Sequence, residues 1–123
     1  MRKKQSTNFI NEQYLFATCG LNLALNKISG RWKAQILLSI YMGHNRFHTL
    51  HKNLENISEQ VLGRQLKALE KDALIMKNII PDSTPIGIEY TLTDNGSKLL
   101  PILDELCKWG QQYATKNSDN MDL

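Results

Sequence analysis

Ser58-Glu59-Gln60-Val61-Leu62-Gly63-Arg64-Gln65-Leu66-Lys67-Ala68-Leu69-Glu70-Lys71 is a stretch with two faces. At about 100° per residue, Leu62, Leu66, Leu69 and the following Ala73 fall within about 60° of one another. Gln60, Arg64, Lys67 and Lys71 fall within about 60° of one another on the opposite side. The spacing predicts a helix that buries its leucines and holds one amide and three cations clear of the body. Ser58 is its predicted N-cap, since a serine oxygen accepts from an N–H of the first turn. Asp72-Ala73 is expected to close it. Arg pairs bidentately with guanine, Gln with adenine and Lys with phosphate, so the exposed face suits a major groove. Glu59 and Glu70 share this side and oppose phosphate. A basic stripe alone is more often a solvated face, so the neighbouring elements decide the reading.

Upstream, Asn56-Ile57-Ser58 reads as a turn, and Phe47, Leu50 and Leu54 mark a short helix by i, i+3, i+7 spacing. Trp32, Ile36, Leu37 and Ile40 form the buried stripe of an earlier helix that ends at Gly43. Leu21, Leu25 and Ile28 share one face of a first helix, broken at Ser29-Gly30. Downstream, Ile75 to Ile80 is rich in β-branched residues, and Gly87 to Leu92 alternates with Ile88, Tyr90 and Leu92 on one face. Pro81-Asp82-Ser83-Thr84-Pro85 between them are turn formers, so the two segments predict a β-hairpin. Thr93-Asp94-Asn95-Gly96 opens a last helix with the stripe Leu99, Ile102, Leu103, Leu106, Trp109 and Tyr113. Pro101 inside it implies a kink or a position close to the first turn. Four helices, a hairpin and a helix describe a mainly α winged helix-turn-helix with a small β-hairpin.

The rest of the chain fits a protein of one domain. Its 123 residues, 41% apolar, are enough for one core and little more. The net charge of +3 permits nucleic-acid binding without requiring it, so the distribution of charge carries the argument. No apolar run is long enough to span a bilayer, and Met1-Arg2-Lys3-Lys4 is followed by polar residues rather than an apolar signal segment. A cytoplasmic protein without a membrane role is expected. Residues 1–18 read as an N-terminal arm with the apolar patch Tyr14-Leu15-Phe16, residues 19–117 as the domain, and 118–123 as a flexible tail.

Ile28-Ser29-Gly30-Arg31-Trp32-Lys33, Arg46-Phe47-His48-Thr49-Leu50, Ile57-Ser58 to Leu62 with Gln65-Leu66 and Leu69-Glu70, Ile88-Glu89-Tyr90-Thr91-Leu92-Thr93 with Gly96, and Leu106-Cys107-Lys108-Trp109-Gly110 occur in that order. Together they resemble the HxlR-type regulators, a branch near the MarR regulators. Each motif is weak alone, and the ordered set is specific. The sequence departs from the family where Gly20 stands for a usual proline, Thr49 for a glutamate and Gly63 for a threonine or serine. The resemblance implies a dimeric winged-helix transcriptional regulator. It also implies that Cys19 occupies a position where several members sense electrophiles or disulfide stress.

The expected partners are therefore double-stranded DNA and a second copy of the chain, joined through the N-terminal segment and the last helix. No small-molecule effector is identified. The candidate DNA-binding residues are Ser58, Gln60, Gly63, Arg64, Lys67 and Lys71, with His48 and Lys77 beside them. Gly63 either brings backbone close to the groove or is a tolerated surface substitution. Cys19 is the candidate redox sensor or a small buried hydrophobe, and Cys107 is expected to be structural. Cys19 and Cys107 form neither a disulfide framework nor a zinc pair. His44, His48 and His51 lack a paired carboxylate or thiolate, so no metal and no cofactor is expected. The chain has no phosphate-cradling glycine loop, GxSxG or HExxH, which argues against an enzyme. A winged-helix protein-interaction module without DNA binding is the alternative, since fold alone does not exclude it.

Overall fold

The computed structural model describes residues 19–84 and 87–116. Five helices and one hairpin make up the described residues: α1 (described over 19–28), α2 (Lys33–Tyr41), α3 (Phe47–Asn53), α4 (Glu59–Lys71), β1 (Ile75–Ile80), β2 (Gly87–Leu92) and α5 (Asp94–Lys116). The order and the hairpin limits agree with the sequence reading. The predicted patch Tyr14-Leu15-Phe16 and the tail lie outside the described residues.

The core forms where the apolar stripes of α2, α3 and α4 meet the base of the hairpin. Ile36, Leu37, Leu50, Leu62, Leu66, Leu69 and Ile75 are fully buried, with Ile57, Leu74, Tyr90 and Leu103 around them. Each buried leucine contributes about 2 kcal/mol relative to exposure, so α4 is held mainly by Leu62, Leu66 and Leu69. One polar contact crosses this packing: Asn53 Nδ2 donates to Ser39 Oγ at 3.1 Å, joining α3 to α2.

Both ends of α4 are closed by local chemistry. The Val61 N–H donates to Ser58 Oγ at 3.1 Å, as the predicted N-cap requires. At the other end the Leu74 N–H reaches the Leu69 carbonyl and the Ala73 N–H reaches Glu70, both at 3.0 Å. This is a Schellman closure, with Ala73 at φ 58° where glycine is usual. Lys27 of α1 pairs with Asp72, the C-cap of α4, at 3.1 Å.

The hairpin is antiparallel, with Ile75 opposite Leu92, Lys77 opposite Tyr90, Ile79 opposite Ile88 and Ile80 opposite Gly87. Alternation puts Ile75, Lys77 and Ile79 on one face with Leu92, Tyr90 and Ile88. That face enters the core at its base and leaves it further out, where Ile79 is 68% exposed. The Tyr90 N–H donates to the Asn45 carbonyl at 2.8 Å, tying β2 to the loop before α3.

The start of α5 is wedged against the end of the Schellman turn. Thr93 Oγ1 donates to the Ala73 carbonyl at 2.6 Å and accepts from the Gly96 N–H at 2.9 Å. A Cβ on Gly96 would stand 2.0 Å from the Leu74 carbonyl oxygen, so this glycine is required by close backbone approach. Pro101 is the eighth residue of α5, well inside it, which excludes a position near the first turn. Beyond Leu103 the predicted stripe does not enter this chain's core: Leu106, Trp109 and Tyr113 are all more than half exposed, as are Leu21 and Leu23 of α1. Trp109 and Tyr113 stack at 5.3 Å on that face.

Gly96→Ala is expected to cost about 3 kcal/mol, because the Leu74 backbone cannot swing aside as a flexible side chain would. Chemical denaturation of the variant against the parent measures it, and an unchanged midpoint would show that the close approach has been misread.

Candidate nucleic-acid interface

The HTH unit is α3, the turn at 54–58 and α4. Leu54 ends α3, Asn56 takes φ 72°, and Ile57 is buried before the Ser58 cap. Asn tolerates the left-handed region because its short polar side chain bonds locally, so the turn is tight without glycine. Thr49 Oγ1 accepts from the Arg46 N–H at 3.3 Å and donates to the Arg46 carbonyl at 3.0 Å. At the third helical position it does what glutamate does in a capping box, which accounts for a threonine there.

Gln60, Arg64, Lys67 and Lys71 all stand exposed on the side of α4 opposite Leu62, Leu66 and Leu69. The sequence-predicted cationic face is therefore a real surface. Ser58 is committed to the helix cap, which leaves its exposed position at the N-terminus of α4, where the helix dipole favours an anion. His48 is exposed on α3. Gly63 is half-buried, and a Cβ there would meet Phe47 Cε2 of α3 at 3.9 Å, an ordinary contact. It therefore faces partly toward α3.

Lys77 joins the helix residues across space. Lys67, Glu70, Lys71 and Lys77 line one open surface cleft between the C-terminal half of α4 and the hairpin. The ion pairs among the described residues are Lys27–Asp72 and Lys108 with Asp104 and Glu105, so none of these three lysines is spent in one. Glu70 tempers the field and acts inward as well. Burial, with the Glu70 carboxylate adding to it, pushes the Tyr90 phenol above its ordinary pKa. The raised pKa keeps the Tyr90 hydroxyl neutral where β2 packs on the core.

The remaining candidates are separate from this surface in the fold. Cys19 is exposed and already helical, on α1. Cys107 is also exposed, against the expectation of a structural role, because α5 turns that part of its surface away from the chain's own core. Trp32 is half-buried with the Arg31 guanidinium 4.6 Å from its ring centroid. Sequence reasoning missed the apolar pair Ile79 and Ile88 as an exposed part of the wing. Their pairing is set by hairpin register, which the sequence marks only through its alternation.

Known proteins resemble this chain in sequence and fold. Residues 27–118 match the HxlR-like helix-turn-helix family. An HTH-type transcriptional regulator of Methanothermobacter thermautotrophicus, itself uncharacterised, is 34% identical over 110 residues, covering 89% of this chain and 81% of its own. A structure assigned to the MarR family of regulators from Enterococcus faecalis V583 superposes with TM-score 0.72 at 34% identity, covering 83% of this chain and 92% of that one. The oxidised form of the redox regulator HypR superposes with TM-score 0.70 at 27% identity, covering 85% and 100%.

If the cleft seats duplex phosphates, Lys67→Gln, Lys71→Gln and Lys77→Gln each lower the slope of log K against log salt by about 0.9. Lys108→Gln, whose amine is paired on α5, leaves the slope unchanged. Titrations of a labelled duplex at several salt concentrations measure all four variants.

Proposed function

The chain belongs to the HxlR-like helix-turn-helix family of DNA-binding transcriptional regulators, and from that premise we propose that it acts in the cytoplasm as a homodimer on a palindromic operator. The observation that carries the reading is the exposed row Gln60, Arg64, Lys67 and Lys71 on a helix whose other face is the core. Gln60 and Arg64 reach base edges, and Lys67, Lys71 and Lys77 hold phosphates. Ser58 and His48 flank the groove at the helix N-terminus and on α3. Gly63, turned partly toward Phe47 of α3, can meet the duplex only through its backbone.

A two-fold dimer sets two such helices into successive major grooves, about 34 Å apart. The surface that supports pairing is the apolar, exposed run Ile102, Leu106, Trp109 and Tyr113 on α5, with Leu21 and Leu23 on α1. A patch of this kind on a small chain marks an interaction site. Pairing also doubles the excess charge of +3 presented to one duplex.

Cys19 is the proposed redox or electrophile sensor. It is exposed, as a sensing thiol must be, and HypR, a redox regulator, has a similar fold. Oxidation at Cys19 would reset the geometry of α1 and with it the spacing of the two reading helices.

Selection of bound sequences from random duplexes, with reduced and with oxidised protein, tests the reading. A palindromic consensus is expected, bound at about 10⁻⁸ M or tighter, by a species that sediments as two chains of 14.1 kDa. Arg64→Ala should cost about 1–3 kcal/mol and relax one base position. Cys19→Ser should bind alike in both redox conditions. Recovery of no consensus, with a monomer in the centrifuge, contradicts the proposal.

A further inference from the structure

The hairpin has a charge problem. Between Lys77 and the end of β2 at Leu92 it carries no cation, while Asp82 and Glu89 are both acidic. A wing laid against a duplex meets phosphates along its length, and acidic groups there are repelled. Lys77 answers this on one face only, the face it shares with Ile75 and Ile79 over the α4 cleft.

The opposite face has a cation supplied from elsewhere in the chain. Arg46 lies 41 residues before Gly87 in sequence, at the N-cap of α3. Its Nη1 stands 3.2 Å from the position a Cβ would take on Gly87, the first residue of β2. Gly87 pairs with Ile80, so it lies on the face that alternates away from Lys77. The guanidinium thus rests on the wing where the wing has no side chain to obstruct it. A Cβ there would also be 2.9 Å from Ser83 Oγ, so a larger residue would crowd both groups.

The backbone that carries this side chain is held in place. The Arg46 backbone is held by both Thr49 hydroxyl bonds. The preceding Asn45 carbonyl is held by the Tyr90 N–H of β2 at 2.8 Å. Arg46 is exposed and belongs to none of the ion pairs among the described residues. The hairpin's own carboxylates, Asp82 and Glu89, form no ion pair with it.

We propose that Arg46 is a duplex-binding residue that serves the wing from outside it, contacting a backbone phosphate on the face opposite the Lys67, Lys71 and Lys77 cleft. A minor groove has a phosphate backbone on either side, about 6 Å apart across the groove. A wing with Lys77 on one face and Arg46 on the other offers a cation to each wall. The contact is electrostatic and bidentate, which suits a guanidinium on phosphate, and it carries no sequence information. The inference rests on the DNA-binding reading above and adds a residue and a wall of the groove to it.

The test uses the full chain and a mixed-sequence duplex, because a phosphate contact does not need the operator. Arg46→Gln should weaken binding several-fold and lower the salt slope by about 0.9. Arg46→Lys should restore most of the slope. Gly87→Ala keeps the charge but crowds the guanidinium, so it should weaken binding while the slope falls less. Thermal midpoints are read in parallel. If Arg46→Gln binds with the parent's affinity and slope while the lysine variants do not, the Arg46 assignment is overturned and the DNA-binding reading stands. A drop in thermal midpoint with no change in slope makes Arg46 a strut of the wing and overturns it equally. If the parent itself shows no salt-sensitive duplex binding, both readings fall together.

Discussion

Burial of Leu62, Leu66 and Leu69 on one side of α4 sets the direction of everything the helix can touch. Three leucines removed from water contribute about 6 kcal/mol in all by side-chain transfer, comparable with the whole net stability of a small domain. Rotating α4 by half a turn to hide its cations would forfeit that contribution and bury three charges. The core therefore aims the cationic face, and the same packing that folds the protein leaves Gln60, Arg64, Lys67 and Lys71 exposed.

The two ends of α4 extend this control to the rest of the unit. Its N-terminus is set by Ser58 and a turn that needs one left-handed asparagine, which fixes the angle to α3. Its C-terminus passes through the Ala73 turn directly into β1, and the Leu74 and Ala73 carbonyls receive Thr93 of the segment that opens α5. Helix α4, the hairpin and the long last helix thus meet at one backbone junction. Glycine at 96 is what lets them meet, because the approach leaves no room for a side chain.

Much of this was legible in the residues, and the failures follow a physical pattern. Period 3.6 and period 2 placed α2 to α5 and both strands, and Ser58 marked its cap, because those signals are local. The stripes of α1 and α5 were read correctly as apolar, yet Leu106 and Trp109 lie outside this chain's core. Periodicity reports that a face avoids water and is silent on whose side chains cover it. Cys107 was misjudged for the same reason. Gly96 was legible only as a turn former, since its contact is with Leu74, 22 residues earlier. Arg46 stood in the sequence only as part of a motif, because its neighbour on the wing comes from a register that only the folded hairpin defines.

The Lys27–Asp72 pair is half-exposed, with side-chain accessibilities of 38% and 22%. Such a pair adds well under 1 kcal/mol to stability after screening by water and salt. Its weight is mechanical. It fastens the last turn of α1 to the residue on which α4 ends, beside Ile28, which packs on the core, so the first helix and the end of α4 share one point of attachment.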